Sequence, residues 1–253
     1  MNHILNAGIA YLDAAQVSLD ARARGGLTWG AAYTFGKAID EGPDFTSTAA
    51  NRDLNRNRNQ SQDNALRDRK GLSNFDSTHS LLLRFSYEIP RSLRIGSGWT
   101  VSGAGLMKSG TPLTLFIGSD SPGFGNVDGG PSDRPNILDP SILGLTVGDP
   151  NTAPLILRRD RFSYITPGES RGNIGRGTFR KGGIANFNAA VSRQWRFGGK
   201  TERSLVFRAE AANLTNHPQF DEPQRNLSSP SFGKITNTLN DGRVLQFGIR
   251  ILL

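Results

Sequence analysis

The stretch LVFRAEAANLTNHPQF, residues 205–220, changes its pattern partway along. In its first half, Leu205 and Phe207 lie on one side of an alternation and Arg208 and Glu210 lie on the other. An alternation with a period of two is typical of a β-strand with two different faces. Asparagines and a proline then interrupt the pattern, as they do where a strand ends. The stretch therefore predicts a strand with one apolar and one charged face that ends in a loop.

Six other segments of the chain repeat this alternation. Each is roughly ten residues long, which matches the length of a membrane-spanning β-strand. With the first stretch they give seven predicted strands, within residues 14–22, 26–37, 77–90, 98–110, 186–197, 205–211 and 243–253.

The connections between these segments alternate in length. The short ones lie at residues 23–26, 90–98 and 198–203, and the long ones at residues 40–75, 110–183 and 216–242. Structureless loops of such length are uncommon in compact soluble domains. Short turns at one rim and long loops at the other are typical of a transmembrane barrel. The spacing therefore predicts an all-β fold, an antiparallel transmembrane β-barrel segment with short periplasmic turns and long extracellular loops.

Composition is compatible with such a fold. The 253 residues include 30 glycines and 13 prolines, which favour turns over long helices, and the mean hydropathy is −0.41. No apolar run approaches the roughly 18 residues of a transmembrane helix, and the N-terminal sequence does not have the pattern of a secretory signal. The chain has no cysteine, which excludes disulfides and thiolate metal sites. The net charge of +8 alone indicates only a basic surface.

The alternation is compatible with two different environments of the apolar face. In a membrane barrel this face contacts lipid and the polar face lines the lumen, whereas in a soluble sandwich the apolar faces of two sheets meet in a core. The strands are longer than the five or six residues usual in soluble sheets, and the polar face carries Gly, Ser and Thr besides charges. Aromatic residues also fall near the segment ends, as in an interfacial girdle: Trp29, Tyr87, Trp99, Trp195 and Phe197. These features favour the barrel.

The barrel hypothesis assigns individual residues to the two faces. The residues predicted to contact lipid are Leu81, Leu83, Phe85, Phe207, Phe247, Ile249 and Ile251. Those predicted to line the lumen are Arg84, Glu88, Arg208, Glu210 and Arg250. A charged pair is costly in lipid and tolerated in a wet lumen. Seven strands fall short of the even number, at least eight, that bacterial barrels use, so we expect further strands on the N-terminal side.

Several longer phrases together carry a family resemblance. GLTWGAAYTFGKAID, GLSNFDSTHSLLLRFSYEIP and GNIGRGTFRKGGIANFNAAVSRQWRF resemble successive strand and loop signatures of Oar-like TonB-dependent transporters. LVFRAEAANLTNHPQFDEP and SPSFGKITNTLNDGRVLQFGIRILL resemble their final hairpin. The group often carries a carboxypeptidase-regulatory-like domain at its N-terminus. The matches follow the family order from about Tyr11 to Leu253.

The resemblance implies a barrel of roughly 22 strands with a plugged lumen in the outer membrane of a Gram-negative type of cell. It implies uptake of an unidentified ligand, energised by the TonB machinery. Residues 1–253 would be the C-terminal portion of the barrel domain without a plug domain, and would not transport alone. The implied partners are outer-membrane lipid, the barrel assembly machinery, and the remaining strands and plug of the full-length transporter. Leu253 stands where such proteins usually end on an aromatic residue, which would weaken assembly.

No catalytic motif emerges. His3, His79 and His217 lack ligand-spaced partners, and residues 76–79 contain Asp, Ser and His without the geometry of a triad, so a polar strand rim is expected there. We therefore expect no enzyme activity, no cofactor and no metal site.

The polar and glycine-rich loops are predicted to be irregular. Residues 51–70 should be solvated, and without aromatics to stack on bases they do not predict nucleic-acid binding. Residues 118–140, rich in Gly, Pro and Asp, should be irregular as well. Residues 172–183 carry Arg176, Arg180 and Lys181, which are expected in a solvated loop or, alternatively, against an anionic ligand.

One alternative of a different class stays open at this point. A soluble or surface-attached β-sandwich that binds carbohydrate or protein would show the same alternation. It predicts a chain that is soluble and monomeric without detergent, whereas the barrel segment predicts insolubility or insertion beside further strands.

Overall fold

Seven long strands form one antiparallel sheet in the order of the sequence. The computed structural model describes residues 9–41, 70–90, 98–119, 121–125, 133–169, 171–198 and 203–252. The long strands are β1 (Ala10–Arg22), β2 (Leu27–Asp40), β3 (His79–Glu88), β4 (Trp99–Lys108), β5 (Ile184–Phe197), β6 (Arg203–Ala212) and β7 (Val244–Leu252). An eighth, short strand at Gly71–Leu72 pairs with the end of β2. The seven predicted strands and the all-β fold are confirmed.

The strands are long because alternation holds over their whole length. They run from nine to 14 residues, and ten residues at about 3.4 Å each, tilted by about 40°, span roughly 26 Å. The turn between β1 and β2 is tight: the Ala23 N–H donates to the Leu27 carbonyl at 2.8 Å. Gly25 and Gly26 adopt φ angles of +96° and +88° there, which favour glycine.

The sheet is open. Among the described residues β1 and β7 pair only with β2 and β6, so the two edges do not meet. Because seven consecutive antiparallel strands leave the first and last running in the same direction, closing the sheet on itself would need a parallel pair. The architecture is an incomplete barrel with short turns at one rim, the short-turn rim, and long connections at the other, the long-loop rim.

The described parts of the long connections at residues 110–183 and 216–242 fold together into a compact unit, which we call the cap. Within it Pro112–Leu113 pairs with Phe179–Arg180, and Asn136–Ile137 pairs with Phe162–Ser163. The short helices are α1 (Ala153–Ile156) and two 3-10 turns at Pro140–Ile142 and Arg159–Arg161. A parallel bridge between Phe116 and Asn226 joins the two connections.

The cap, rather than the sheet, holds the buried apolar core. The cluster consists of Leu113, Leu115, Ile142, Val147, Ala153, Leu157, Phe162, Ile174, Phe179, Leu227 and Phe232. Phe162 lies edge-on to both Phe179 and Phe232, with ring centroids 6.4 and 5.6 Å apart. The prediction that the loop at residues 118–140 is irregular is therefore wrong for its described part at 133–140, where Asn136–Ile137 is a strand and Pro140 begins a 3-10 turn.

No helix in the described ranges is both long and apolar enough to cross a membrane. Of the loop predicted to be solvated at residues 51–70, all but the exposed Lys70 lies outside the described residues, as does Leu253.

Candidate functional site: the two faces of the sheet

The strand register collects the apolar side chains on one face, the apolar face. Phe85 pairs with Trp29 on β2, and Leu81 pairs with Met107 on β4. At the other edge Phe207 pairs with Ile249. Because paired residues point to the same side of an antiparallel sheet, the pattern continues across all seven strands. All seven residues predicted to contact lipid lie on this face: Leu81, Leu83, Phe85, Phe207, Phe247, Ile249 and Ile251.

The apolar face is open. Ile249 is 72% exposed and Phe247 is 69% exposed. A soluble sandwich would need a second sheet against this face, and in the described part of the chain the other sheets are two-stranded pairs within the cap. A contiguous open surface of large apolar side chains needs an apolar partner. Contact of these residues with lipid stays a prediction.

The opposite face carries the charged residues. Arg84 donates from Nη2 to Asp20 Oδ1 at 2.6 Å, although β2 lies between their strands. Gly30 is the residue of β2 between them, and a Cβ there would lie 2.6 Å from Arg84 Nε. The missing side chain of Gly30 therefore leaves room for the pair.

A second ion pair lies further along the same face. Arg208 and Glu210 form it along β6, beside a groove of about 400 Å³ whose wall includes Ser102 and Asn188. The five residues predicted to line the lumen lie together on this face: Arg84, Glu88, Arg208, Glu210 and Arg250. Their place in a lumen stays a prediction, and the structure gives them a common polar surface that includes Gly, Ser and Thr.

Aromatic residues line the short-turn rim of the apolar face. Trp99 lies edge-on to Trp195, with ring centroids 6.1 Å apart, and to Phe207 at 5.9 Å. Trp29 and Tyr87 lie near the same rim, beside the turns that end β1 and β3. The aromatic positions predicted for an interfacial girdle thus lie at one rim, where the amphipathic rings of Trp and Tyr are favoured in membranes.

Two glycines of β4 make room for aromatic rings in the middle of the apolar face. Phe85 and Phe187 stack with centroids 6.4 Å apart, one from each neighbouring strand. A Cβ on Gly103 would lie 2.6 Å from Phe85 Cε1 and 3.0 Å from Phe187 Cζ, and one on Gly105 would lie 3.1 Å from Phe187 Cδ2. Sequence reasoning missed this packing, because it treated the two glycines only as neutral positions of the alternation.

Arg176 joins the cap to β2. Its side chain is 1% exposed and forms an ion pair with Asp40. Its Nη2 also donates to the backbone carbonyls of Asp40 at 2.8 Å and Gly71 at 3.1 Å. The expectation of a solvated loop around Arg176 is therefore wrong: the guanidinium is buried because the strand end supplies its acceptors.

Arg180 makes the second connection between cap and sheet. Its Nη2 donates to Asp76 Oδ2 at 2.6 Å, and its Nη1 donates to the Gly110 carbonyl at 3.0 Å. Asp76 is 2% exposed, and its other oxygen accepts the Ala38 N–H at 2.7 Å. The expected polar strand rim at Asp76 is therefore wrong, since β3 begins only at His79 and Asp76 is a buried anchor.

Two carboxyl groups of the cap have shifted acidities. Hydrogen bonds from the Ser141 hydroxyl and backbone lower the pKa of Asp139 below its ordinary value, because they stabilise the charged form. Hydrogen bonds from the Asn136 amide and the Thr166 backbone N–H lower the pKa of Glu169 in the same way. Both groups are therefore acceptors that hold loops of the cap together, rather than proton donors.

The Asp76, Ser77 and His79 side chains point to different partners. His79 Nδ1 lies 2.7 Å from the Tyr33 hydroxyl, and Ser77 Oγ donates to the Ser109 carbonyl at 2.8 Å. Asp76 faces Arg180 instead. Within the ranges that the structure describes, no three His, Asp or Glu side chains come together in a group suited to a metal ion.

The comparison with protein families gives one match over almost the whole chain. Residues 1–246 match the family model described as "outer membrane beta barrel domain". No curated protein and no solved structure matches the chain.

Proposed function

Because the chain belongs to the outer membrane beta-barrel domain family and is thus an outer-membrane protein, we propose that its sheet forms part of the wall of a larger barrel that takes up a ligand. In this wall the apolar face contacts lipid and the face with Arg84 and Arg208 borders the lumen. The protein acts by forming a passage and a binding surface, not by catalysis.

The single observation that carries the proposal is the register of the sheet. It keeps all seven apolar side chains of the predicted set, which lie on β3, β6 and β7, on one open face. The two ion pairs described between strand residues, Arg84–Asp20 and Arg208–Glu210, lie on the other. The arrangement is the inverse of a soluble protein, whose open face is polar, and it matches a barrel with a wet interior.

The open edges support a larger barrel. In hydrocarbon, each unpaired backbone N–H or C=O of β1 or β7 would cost several kcal/mol. Pairing with further strands removes this cost, so we infer that both edges are completed by strands beyond the seven. The described sheet would then be the C-terminal portion of the barrel domain of a TonB-dependent transporter, with a plug inside.

The transport proposal rests on the ordered resemblance to Oar-like TonB-dependent transporters and on the cap. The cap folds at the long-loop rim, which is the extracellular rim in barrels with short periplasmic turns. Its two anchors, Arg176 and Arg180, fix it to the strand ends. A folded unit at this rim is suited to meet a ligand before the ligand enters the lumen.

One pair of substitutions tests the wall assignment. Phe247→Arg places a charge on the apolar face, where an arginine near the membrane midplane costs about 2–4 kcal/mol. Arg208→Ala removes a charge from the polar face and should have little effect. We expect much less Phe247→Arg protein than Arg208→Ala protein in outer-membrane fractions; equal amounts would count against the assignment of faces.

Energised uptake is tested in cells. A deletion strain should leave in the medium a component that wild-type cells remove, as measured by mass spectrometry of the spent medium. A protonophore should stop removal by wild-type cells, because TonB-dependent uptake draws on the inner-membrane proton gradient. Removal that continues unchanged with the protonophore would indicate a passive channel and contradict this part of the proposal.

A further inference from the structure

Arg193 interrupts the apolar face at the short-turn rim. It lies on β5 at a position whose neighbours in the alternation are Val191 and Trp195. Across the sheet it pairs with Trp99 on β4 and Phe207 on β6. A guanidinium is therefore surrounded on its own face by aromatic and aliphatic side chains.

Two tryptophan rings hold this guanidinium. Its central carbon lies 5.8 Å from the centroid of Trp99 and 5.1 Å from that of Trp195, within the range of cation–π attraction. Among the described residues it has no ion pair and no hydrogen-bond acceptor, whereas Arg84 and Arg208 on the other face each have a carboxylate. Within the described part of the chain, its five N–H donors therefore meet no acceptor.

An apolar groove lies beside the guanidinium. It has a volume of about 310 Å³ and is lined by Trp99, Trp195, Leu205, Phe207 and Ile249. The two rings that hold Arg193 form part of the wall of this groove. A cation beside an apolar groove is complementary to a molecule with an anionic head and a hydrocarbon tail.

We propose that Arg193, Trp99 and Trp195 form a site for one anionic glycerophospholipid at the short-turn rim, with the lipid phosphate on the guanidinium and an acyl chain in the groove. The proposal rests on the proposed function, because it requires the apolar face to contact lipid. Tryptophans are favoured at the level of lipid headgroups, and an arginine there reaches the phosphate without leaving its rings. An anionic headgroup adds no ammonium that would compete with Arg193 for the phosphate.

The test uses tryptophan fluorescence of the full-length protein in vesicles. Two sets of phosphatidylcholine vesicles carry an equal fraction of lipid with brominated acyl chains, either phosphatidylglycerol or phosphatidylcholine. Bromine quenches only nearby indoles, so with Trp29 replaced by phenylalanine the quenching of Trp99 and Trp195 reports which lipid lies at the groove. We expect stronger quenching by the brominated phosphatidylglycerol, and addition of inorganic phosphate should leave this preference unchanged.

The variants separate the site from general lipid contact. Arg193→Leu should reduce the preference for phosphatidylglycerol roughly tenfold, as for loss of one charge-assisted contact, and Arg193→Lys should keep part of it. The control Arg196→Leu lies on the same strand but on the opposite face, and should keep the full preference.

Three outcomes would contradict the proposal. Equal quenching by both brominated lipids would overturn the phospholipid site and leave the lipid-facing wall intact. No quenching by either lipid would overturn the proposed function as well. Loss of the preference on addition of inorganic phosphate would show that the site takes free phosphate instead of a lipid.

Discussion

At the scale of single residues, the packing of side chains over the strands depends on glycines, which leave room for neighbouring side chains. Gly103 lets the rings of Phe85 and Phe187 lie over the backbone of β4, and Gly30 lets Arg84 reach Asp20 across β2. In the first case the rings come from both sides and the Asn188 carbonyl is also close, so there is little room to adjust. In the second case the neighbours are the ends of flexible, exposed side chains. The two glycines should therefore differ in their tolerance of substitution.

Gly103→Val should destabilise the protein. The added methyls meet the stacked rings and force them away from β4, which costs about 1–3 kcal/mol in an overpacked site. The measurement is the midpoint of urea unfolding of the full-length protein in lipid vesicles. Gly248→Val is the matched control, since a Cβ there has its nearest neighbour, the Arg208 carbonyl, 4.0 Å away. An equal shift for both variants would show that β-propensity, not ring packing, decides the effect.

The residues of the two faces could be predicted from the sequence because strand alternation is local. Arg84 and Glu88 fall opposite Leu81 and Phe85 as soon as the strand is recognised. The partner of Arg84 could not be predicted, because it depends on the register of β1 on β2 and of β2 on β3. Hydrophobicity alone does not predict the face of Leu82, which lies on the polar face although it belongs to a run of three leucines.

At the scale of elements, two arginines fasten the cap to the sheet: Arg176, which is buried, and Arg180, which is partly buried. Arg176 reaches Asp40 at the end of β2, and Arg180 reaches Asp76 just before β3. Each guanidinium also donates to backbone carbonyls, so it fixes a chain segment and not only a side chain. The position of the cap over the long-loop rim therefore depends on a few charged contacts in low-dielectric surroundings.

Asp76→Asn should loosen the cap. The change leaves Arg180 without its carboxylate and replaces one acceptor oxygen by an amide, at a cost of roughly 2 kcal/mol for a largely buried pair. Limited proteolysis of the full-length protein, with cleavage sites read by mass spectrometry, should show faster cutting within residues 110–183. The control Asp160→Asn breaks the exposed pair with Arg158, worth about 0–1 kcal/mol, and should leave the rate nearly unchanged. Equal cleavage rates for wild type and Asp76→Asn would contradict the anchoring role.

The elements differ in how far the sequence predicts them. The seven strands were predictable because each repeats apolar and polar residues over about ten positions. The cap was not, because its core residues come from two connections that lie far apart in the chain, such as Leu113 and Leu227, and follow no period. A loop rich in Gly, Pro and Asp looks irregular even when non-local packing orders it, since propensity records only local preferences.

At the scale of the whole molecule, we expect the sheet to have one face outside the barrel, toward lipid, and one face inside it, toward the lumen. The sheet presents one apolar face seven strands wide, its aromatic residues gather at the short-turn rim, and the cap lies at the long-loop rim. Under the proposed function, these features predict that lipid surrounds the apolar face and that the ligand enters beside the cap. The sequence alone left a soluble sandwich open, because alternation does not say which face meets the solvent.

The assignment of the faces is tested most directly by spin labels along β3. Residues 1–253 have no cysteine, so single cysteines introduced at positions 80–86 are the only label sites within these residues for a nitroxide scan of the full-length protein in lipid vesicles. We expect labels at Leu81, Leu83 and Phe85 to collide with oxygen, which concentrates in lipid. Labels at Ser80, Leu82 and Arg84 should instead collide with a water-soluble nickel chelate.

Leu82 is the decisive position of this scan. Hydrophobicity alone would place its label in lipid, whereas the register places it on the polar face with Arg84. A period of two in which position 82 follows the nickel chelate is the predicted result. A label at position 82 that follows oxygen together with those at 81 and 83, or the opposite phase along the strand, would contradict the account.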